Sequence, residues 1–298
     1  MGAVLSAFGS QGIRALPRKR VCHVGDEKAR QMGTPGRPAV ASSLMLRSLA
    51  GGALFGEVWG TSPPSVVALH GWKRTHIDFS AVLGPAAPGG ALPTVAPDLP
   101  GFGATLAPSE AWGSAEYAEA VARLIQSTDG PAGPAVVVGH SLGGRVAVIL
   151  AGKRPDLVKA LVLAGAPLFP RTGFRSRTSA AFRVMRTLGR VGLVSEERME
   201  RARRRYGSAD YRSAEGVMRE ILVRLVNETY DEALRALRCP VELVWGEADS
   251  DAPLSVAERI SERVPRAVLT VCRGAGHLIP LERPAELRAA VERAMART

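Results

Sequence analysis

From Ala53 onward, short apolar runs alternate with longer stretches of helical periodicity. Ala53–Trp59 and Ser65–Leu69 predict strands, and the second is continuously apolar, as suits a strand buried on both faces. Thr94–Pro97 is a third short run. Ser114–Ser127 predicts a helix, with Ser114 as N-cap and Glu116 in the first turn. Ala135–Val138 predicts a strand, Leu142–Lys153 a helix closed by Pro155, and Ala160–Ala164 another strand. The alternation resumes with Val241–Trp245, a helix over Leu254–Val264, a strand over Ala267–Val271 and a last helix over Pro284–Met295. This order implies a mostly parallel sheet with helices on both faces.

Residues 168–236 interrupt the pattern. They hold no strand-like run, and their Arg-rich periodic segments predict three or four helices. An insertion placed there would lie as a lid over the C-terminal ends of the strands, where open α/β sheets bind ligands. The expected organisation is therefore a core over residues 44–167 and 237–298 with a helical lid over 168–236. Residues 1–43 are rich in Gly, Pro and Arg, lack sustained periodicity and have no apolar stretch of secretory type. They are expected to form an unordered extension, with Met32 and Met45 as alternative starts.

Composition changes this picture little. The 298 residues are 46% hydrophobic, ordinary for a chain that buries a substantial core. The formal charge of +11 would suggest a nucleic acid or anionic surface, but it is unevenly placed. Residues 1–50 contribute +6 and residues 167–238 contribute +7, so the remainder is nearly neutral. No basic stripe with interleaved aromatics is present, and no nucleic-acid partner is expected. Three widely spaced cysteines, Cys22, Cys239 and Cys272, suggest neither a disulfide framework nor a zinc site and fit a cytoplasmic setting. No apolar run approaches the ~18 residues needed to span a bilayer.

The strongest chemical signal is Ala135-Val136-Val137-Val138-Gly139-His140-Ser141-Leu142-Gly143-Gly144. Four apolar residues lead into Gly-x-Ser-x-Gly, and a helical pattern follows at once. A turn sharp enough to hold a serine hydroxyl clear of the backbone forces unfavourable dihedrals at that serine, and small residues must flank it. The helix then directs its partly positive N-terminus at the site. Ser141 is the candidate nucleophile, and His140 is read as a packing residue.

A serine hydroxyl needs an adjacent base. In strand–turn–helix sites of this kind the order runs serine, acid, histidine, and His277 is the one histidine beyond Ser141. It lies in Arg273-Gly274-Ala275-Gly276-His277, after the last predicted strand. The acid belongs between them, after a strand. Val241–Trp245 is followed by Glu247, Asp249 and Asp251, of which Asp249 is preferred, Asp251 competes and Glu247 comes third. The tetrahedral intermediate requires backbone donors: Leu142 N–H directly after the nucleophile, and Trp72 N–H in the loop His70-Gly71-Trp72. His70 is read as supporting that loop.

Taken together, His70-Gly71-Trp72, Asp98-Leu99-Pro100-Gly101-Phe102-Gly103, Gly139–Gly144, Gly246-Glu247-Ala248-Asp249 and Gly274-Ala275-Gly276-His277 resemble the α/β-hydrolase superfamily, in its lid-bearing bacterial esterase-like branch. The stretches appear in the family's order over residues 53–297. The resemblance implies the α/β-hydrolase fold and a structural role for Asp98. It argues against the epoxide hydrolases and haloalkane dehalogenases, which place an aspartate where Ser141 stands. Its serine members act on a small-molecule acyl substrate, and no metal or organic cofactor is implied. The expected activity is hydrolysis of a carboxylic ester or related acyl compound. Carbon–carbon bond hydrolysis of a vinylogous diketone and non-catalytic ligand binding are the alternatives.

Overall fold

A computed structural model describes residues 18–22, 45–169, 195, 197–198, 201 and 209–297. Nine strands form one sheet: β1 (Arg18–Cys22), β2 (Arg47–Leu49), β3 (Leu54–Trp59), β4 (Val66–Leu69), β5 (Thr94–Asp98), β6 (Ala135–His140), β7 (Val158–Ala164), β8 (Val241–Gly246) and β9 (Val268–Cys272). Their spatial order is β1-β9-β8-β7-β6-β4-β5-β3-β2. Neighbours from β5 through β4 to β1 run parallel, while β3 is antiparallel to β5, and β2 to β3. Every strand expected from the apolar runs is present.

Two strands were not expected. β2 is three residues long and β1 lies within the anticipated N-terminal extension, where it pairs with β9 in register Arg18↔Val268 to Cys22↔Cys272. Neither has the apolar run that marks a strand from sequence, because each sits at a sheet edge and is held by backbone pairing. The rest of the anticipated extension lies outside the described residues.

The central strands show why continuous apolar runs are required. Val67, Leu69, Val137, Leu161, Leu163, Leu243 and Trp245 face one side, and pack with helices α2 (Ser114–Gln126) and α3 (Leu142–Lys153). Val66, Ala68, Val136, Val138, Val162 and Val244 face the other, against a short helix at Ser80–Leu83 (α1) and the C-terminal helix. Successive side chains on a strand alternate faces, so a doubly covered strand is mostly apolar, and a buried charge such as Glu242 on β8 is paired, with Arg293 and Arg297.

Beyond the insertion point, α4 (Ala209–Ser213), α5 (Gly216–Asn227) and α6 (Asp231–Ala236) precede β8. Residues 170–194, 196, 199–200 and 202–208, about half of the expected lid, lie outside the described residues. α6 packs closely on α3, with a Cβ at Gly152 only 3.2 Å from Ala233 Cα, so the chain has already rejoined the sheet layers before residue 237. Helices α7 (Leu254–Arg263), α8 (Ile279–Glu282) and α9 (Pro284–Ala296) complete the core.

The start of α2 corrects one expectation. Gly113, not Ser114, is the N-cap, and its N–H donates to Glu116 Oε2 at 2.8 Å. Ser114 instead donates its backbone N–H to Glu228 (3.0 Å), and its hydroxyl meets Tyr230 Oη (2.9 Å). The first N–H of the helix is thus met by a carboxylate 114 residues away.

Candidate active site

β4 is flanked by β5 on one side and β6 on the other, so chain winding reverses there. The loops after β4 and β6 leave the sheet side by side, forming the crevice in which such sheets bind ligands. Ser141 sits at the end of β6 with φ of +51° and ψ of −108°, a region that costs an L-residue roughly 1–3 kcal/mol. Close packing beneath maintains this bend. A Cβ at Gly143 would lie 2.0 Å from Leu69 O, so only glycine lets α3 begin directly over β4.

His277 Nε2 is 3.0 Å from Ser141 Oγ, and its Nδ1 is 2.8 Å from Asp249 Oδ2. The other carboxylate oxygen accepts N–H donations from Asp251 and Ala252, each at 2.8 Å. A carboxylate accepting from all sides fixes the proton on Nδ1 and leaves the Nε2 lone pair facing the hydroxyl. Asp249 is 4% exposed, whereas His277 opens onto a cavity of about 550 Å³. Ser141, Leu142, Trp72, Phe169, Leu222 and Leu225 are among its lining residues.

The two other acidic candidates take different places. Asp251 is exposed and gives Asp249 its backbone N–H. Glu247 accepts from Gly274 N–H at 3.2 Å and ties the β8 loop to the β9 loop. The buried Trp245 donates Nε1–H to Ala252 O (2.7 Å), closing the loop that carries Asp249. Leu142 N–H and Trp72 N–H lie on the cavity wall with no backbone acceptor among the described residues, while Gly143 N–H is taken by His70 O at 3.0 Å.

Two buried histidines shape these loops. His70 Nε2 accepts from Leu99 N–H (2.8 Å), so its Nδ1–H donates to Gly71 O (2.8 Å). Burial lowers its pKa to about 4, keeping it neutral. His140 Nε2 donates to His277 O at 2.8 Å. Burial, helped by neighbouring His277, lowers the His140 pKa to about 4. The residue read from sequence as packing therefore also restrains the His277 backbone. Glu282 was missed altogether: its carboxylate accepts from Gly276 N–H (2.6 Å) and Leu278 N–H (3.0 Å), bracketing His277. A glutamate five positions on, in a four-residue helix, carries no sequence signal for that task.

This chain belongs to the alpha/beta hydrolase family: the sequence profile of that family matches residues 66–290. It is 32% identical over 257 residues to the pimeloyl-[acyl-carrier protein] methyl ester esterase of Aromatoleum aromaticum, covering 77% of this chain and 97% of that protein. The protein of the same name from Chromobacterium violaceum is 31% identical over 75% of this chain and 91% of its own length. Among solved structures, an esterase from Thermogutta terrifontis superposes with a TM-score of 0.59 at 22% identity, covering 85% of this chain and 99% of that one. No helix among the described residues is long and apolar enough to cross a membrane.

Proposed function

We propose that this chain hydrolyses a carboxylic ester or related acyl compound through an acyl-serine intermediate. One observation carries the reading: Asp249, His277 and Ser141 form an unbroken series of hydrogen bonds, 2.8 and 3.0 Å long, whose last atom faces the cavity. As Ser141 Oγ attacks the acyl carbon, His277 Nε2 takes its proton, and Asp249 stabilises the resulting imidazolium. The oxyanion is met by Leu142 and Trp72 N–H, each worth about 3 kcal/mol to the transition state. His277 returns the proton to the departing alcohol. It then deprotonates a water that attacks the acyl-serine, releasing the acid and restoring Ser141.

The esterase names of the relatives support the same reaction class. The reaction as written needs no metal or organic cofactor. A fluorophosphonate probe together with a series of 4-nitrophenyl esters of increasing chain length tests the reading. Wild-type protein is expected to label and to release nitrophenol, while Ser141→Ala does neither. Labelling of Ser141→Ala equal to wild type would remove Ser141 from its role.

A further inference from the structure

We infer that Arg145 makes this cavity selective for acyl compounds carrying a second, anionic group, such as half-esters of dicarboxylic acids. The inference rests on the nucleophile reading above and specifies its substrate. Arg145 stands on the first turn of α3, four residues after Ser141, and lines the same cavity. Its Nε–H donates to Pro167 O and its Nη1–H to Leu225 O, both at 3.1 Å, and the guanidinium lies 5.7 Å from the Tyr230 ring. These partners fix the plane of the group but bring it no negative charge. No carboxylate among the described residues pairs with Arg145, and Nη2 donates to none of them.

The other charged groups on the cavity are differently placed. Arg74 is closed off by two bonds to Asp78, at 2.7 and 2.6 Å. Asp210 is exposed and lies 3.9 Å from Lys73 Nζ, and Asp251 is exposed as well, so water screens both. Glu228, next to Tyr230, is committed to Ser114 N–H and Tyr230 Oη. Among the described residues, the half-buried charge without a carboxylate counter-ion is therefore positive.

A guanidinium held by two carbonyls presents its remaining N–H groups in a fixed direction, which suits a planar carboxylate. The N-terminus of α3 adds partial positive charge on the same side. Leu222, Leu225 and Phe169 supply apolar wall for the methylene chain between the carboxylate and the scissile carbonyl.

The test compares kcat/KM for mono-4-nitrophenyl adipate and 4-nitrophenyl hexanoate at low salt. The two have equal chain length and differ by a carboxylate against a methyl group. Wild type is expected to favour the adipate by at least about tenfold. In Arg145→Met the ratio is expected to fall to about one, and in Arg145→Lys to an intermediate value. Because each ratio is taken within one protein, a loss of active fraction cancels. Should Arg145→Met not fold, the wild-type and Arg145→Lys ratios decide the matter. A wild-type ratio near one, or a preference unchanged on substitution, overturns the inference while fluorophosphonate labelling of Ser141 still stands. Absence of both labelling and ester turnover would overturn the nucleophile reading, and this inference with it.

Discussion

The Asp249–His277 pair and the Asp98–His76 pair are built alike. In each, imidazole Nδ1 lies 2.8 Å from a carboxylate oxygen. Both carboxylates accept two backbone N–H groups: Asp251 and Ala252 for Asp249, His76 and Ala104 for Asp98. A glycine with φ of +53° stands beside each, Gly165 in one case and Gly103 in the other. The difference lies at the far ring nitrogen. For His277 it is a hydroxyl facing a cavity; for His76 it is Glu57 Oε1, 3.6 Å away in the interior. Burial opposes charge on His76, but the hydrogen bond to Asp98 and the negative charges of Asp98 and Glu57 outweigh it and raise its pKa. Burial likewise works against Asp98, yet hydrogen bonds from His76 and Ala104 hold its pKa below the ordinary value. A carboxylate on both sides favours the charged form of His76, which braces the Asp98 loop. His277, with a carboxylate on one side and a hydroxyl on the other, has the arrangement that the proposed reaction requires of its base.

The contrast between the two pairs makes distinct demands on substitution. The largest expected effect is Ser141→Ala, which should lower kcat for an activated ester by about 10⁶-fold with the fold retained, as circular dichroism would check. Next, Asp249→Asn should cost about 10⁴-fold in kcat by favouring the wrong imidazole tautomer, with little change in Tm. Its counterpart Asp98→Asn should show the reverse, destabilising the protein by about 3–5 kcal/mol in urea unfolding while the residual folded enzyme stays active. Equal activity losses for the two asparagine variants would refute the distinction.

A smaller effect concerns pH. His76 has a raised folded-state pKa, so its contribution is complete below the ordinary histidine value of 6.5 and disappears as pH rises through the higher folded value. Asp98 has a lowered one, so its contribution is complete above the ordinary value of 3.8 and disappears as pH falls below it. Wild-type stability should therefore decline on the alkaline side of pH 6.5 more steeply than that of His76→Gln, measured by Tm against pH. The smallest effect is expected for Glu57→Gln, which removes the more distant charge but keeps an acceptor for Trp59 Nε1–H; it should flatten the same limb only in part.

Much of this was legible because it is local. The Gly139–Gly144 turn needs small residues at fixed offsets from the serine, and the buried strands need unbroken apolar runs, so both are visible along the chain. His277 followed from chain order, and the loop carrying Glu247, Asp249 and Asp251 from the strand before it. Glu282, the hydrogen bond of His140 to the His277 carbonyl, and the Glu228 partner of Ser114 left no such trace. Those contacts join residues whose spacing obeys no period.

The alternating architecture, the sharp turn at Ser141 and the chain order of the proposed reacting groups can all be read along the chain, because short-range sterics and burial on two faces constrain residue type directly. Which of three carboxylates meets His277, which of two similar aspartate–histidine pairs faces a cavity, and which carbonyls hold Arg145 emerge only in the folded chain. These depend on where a loop's backbone amides and carbonyls end up after strands far apart in sequence are brought side by side.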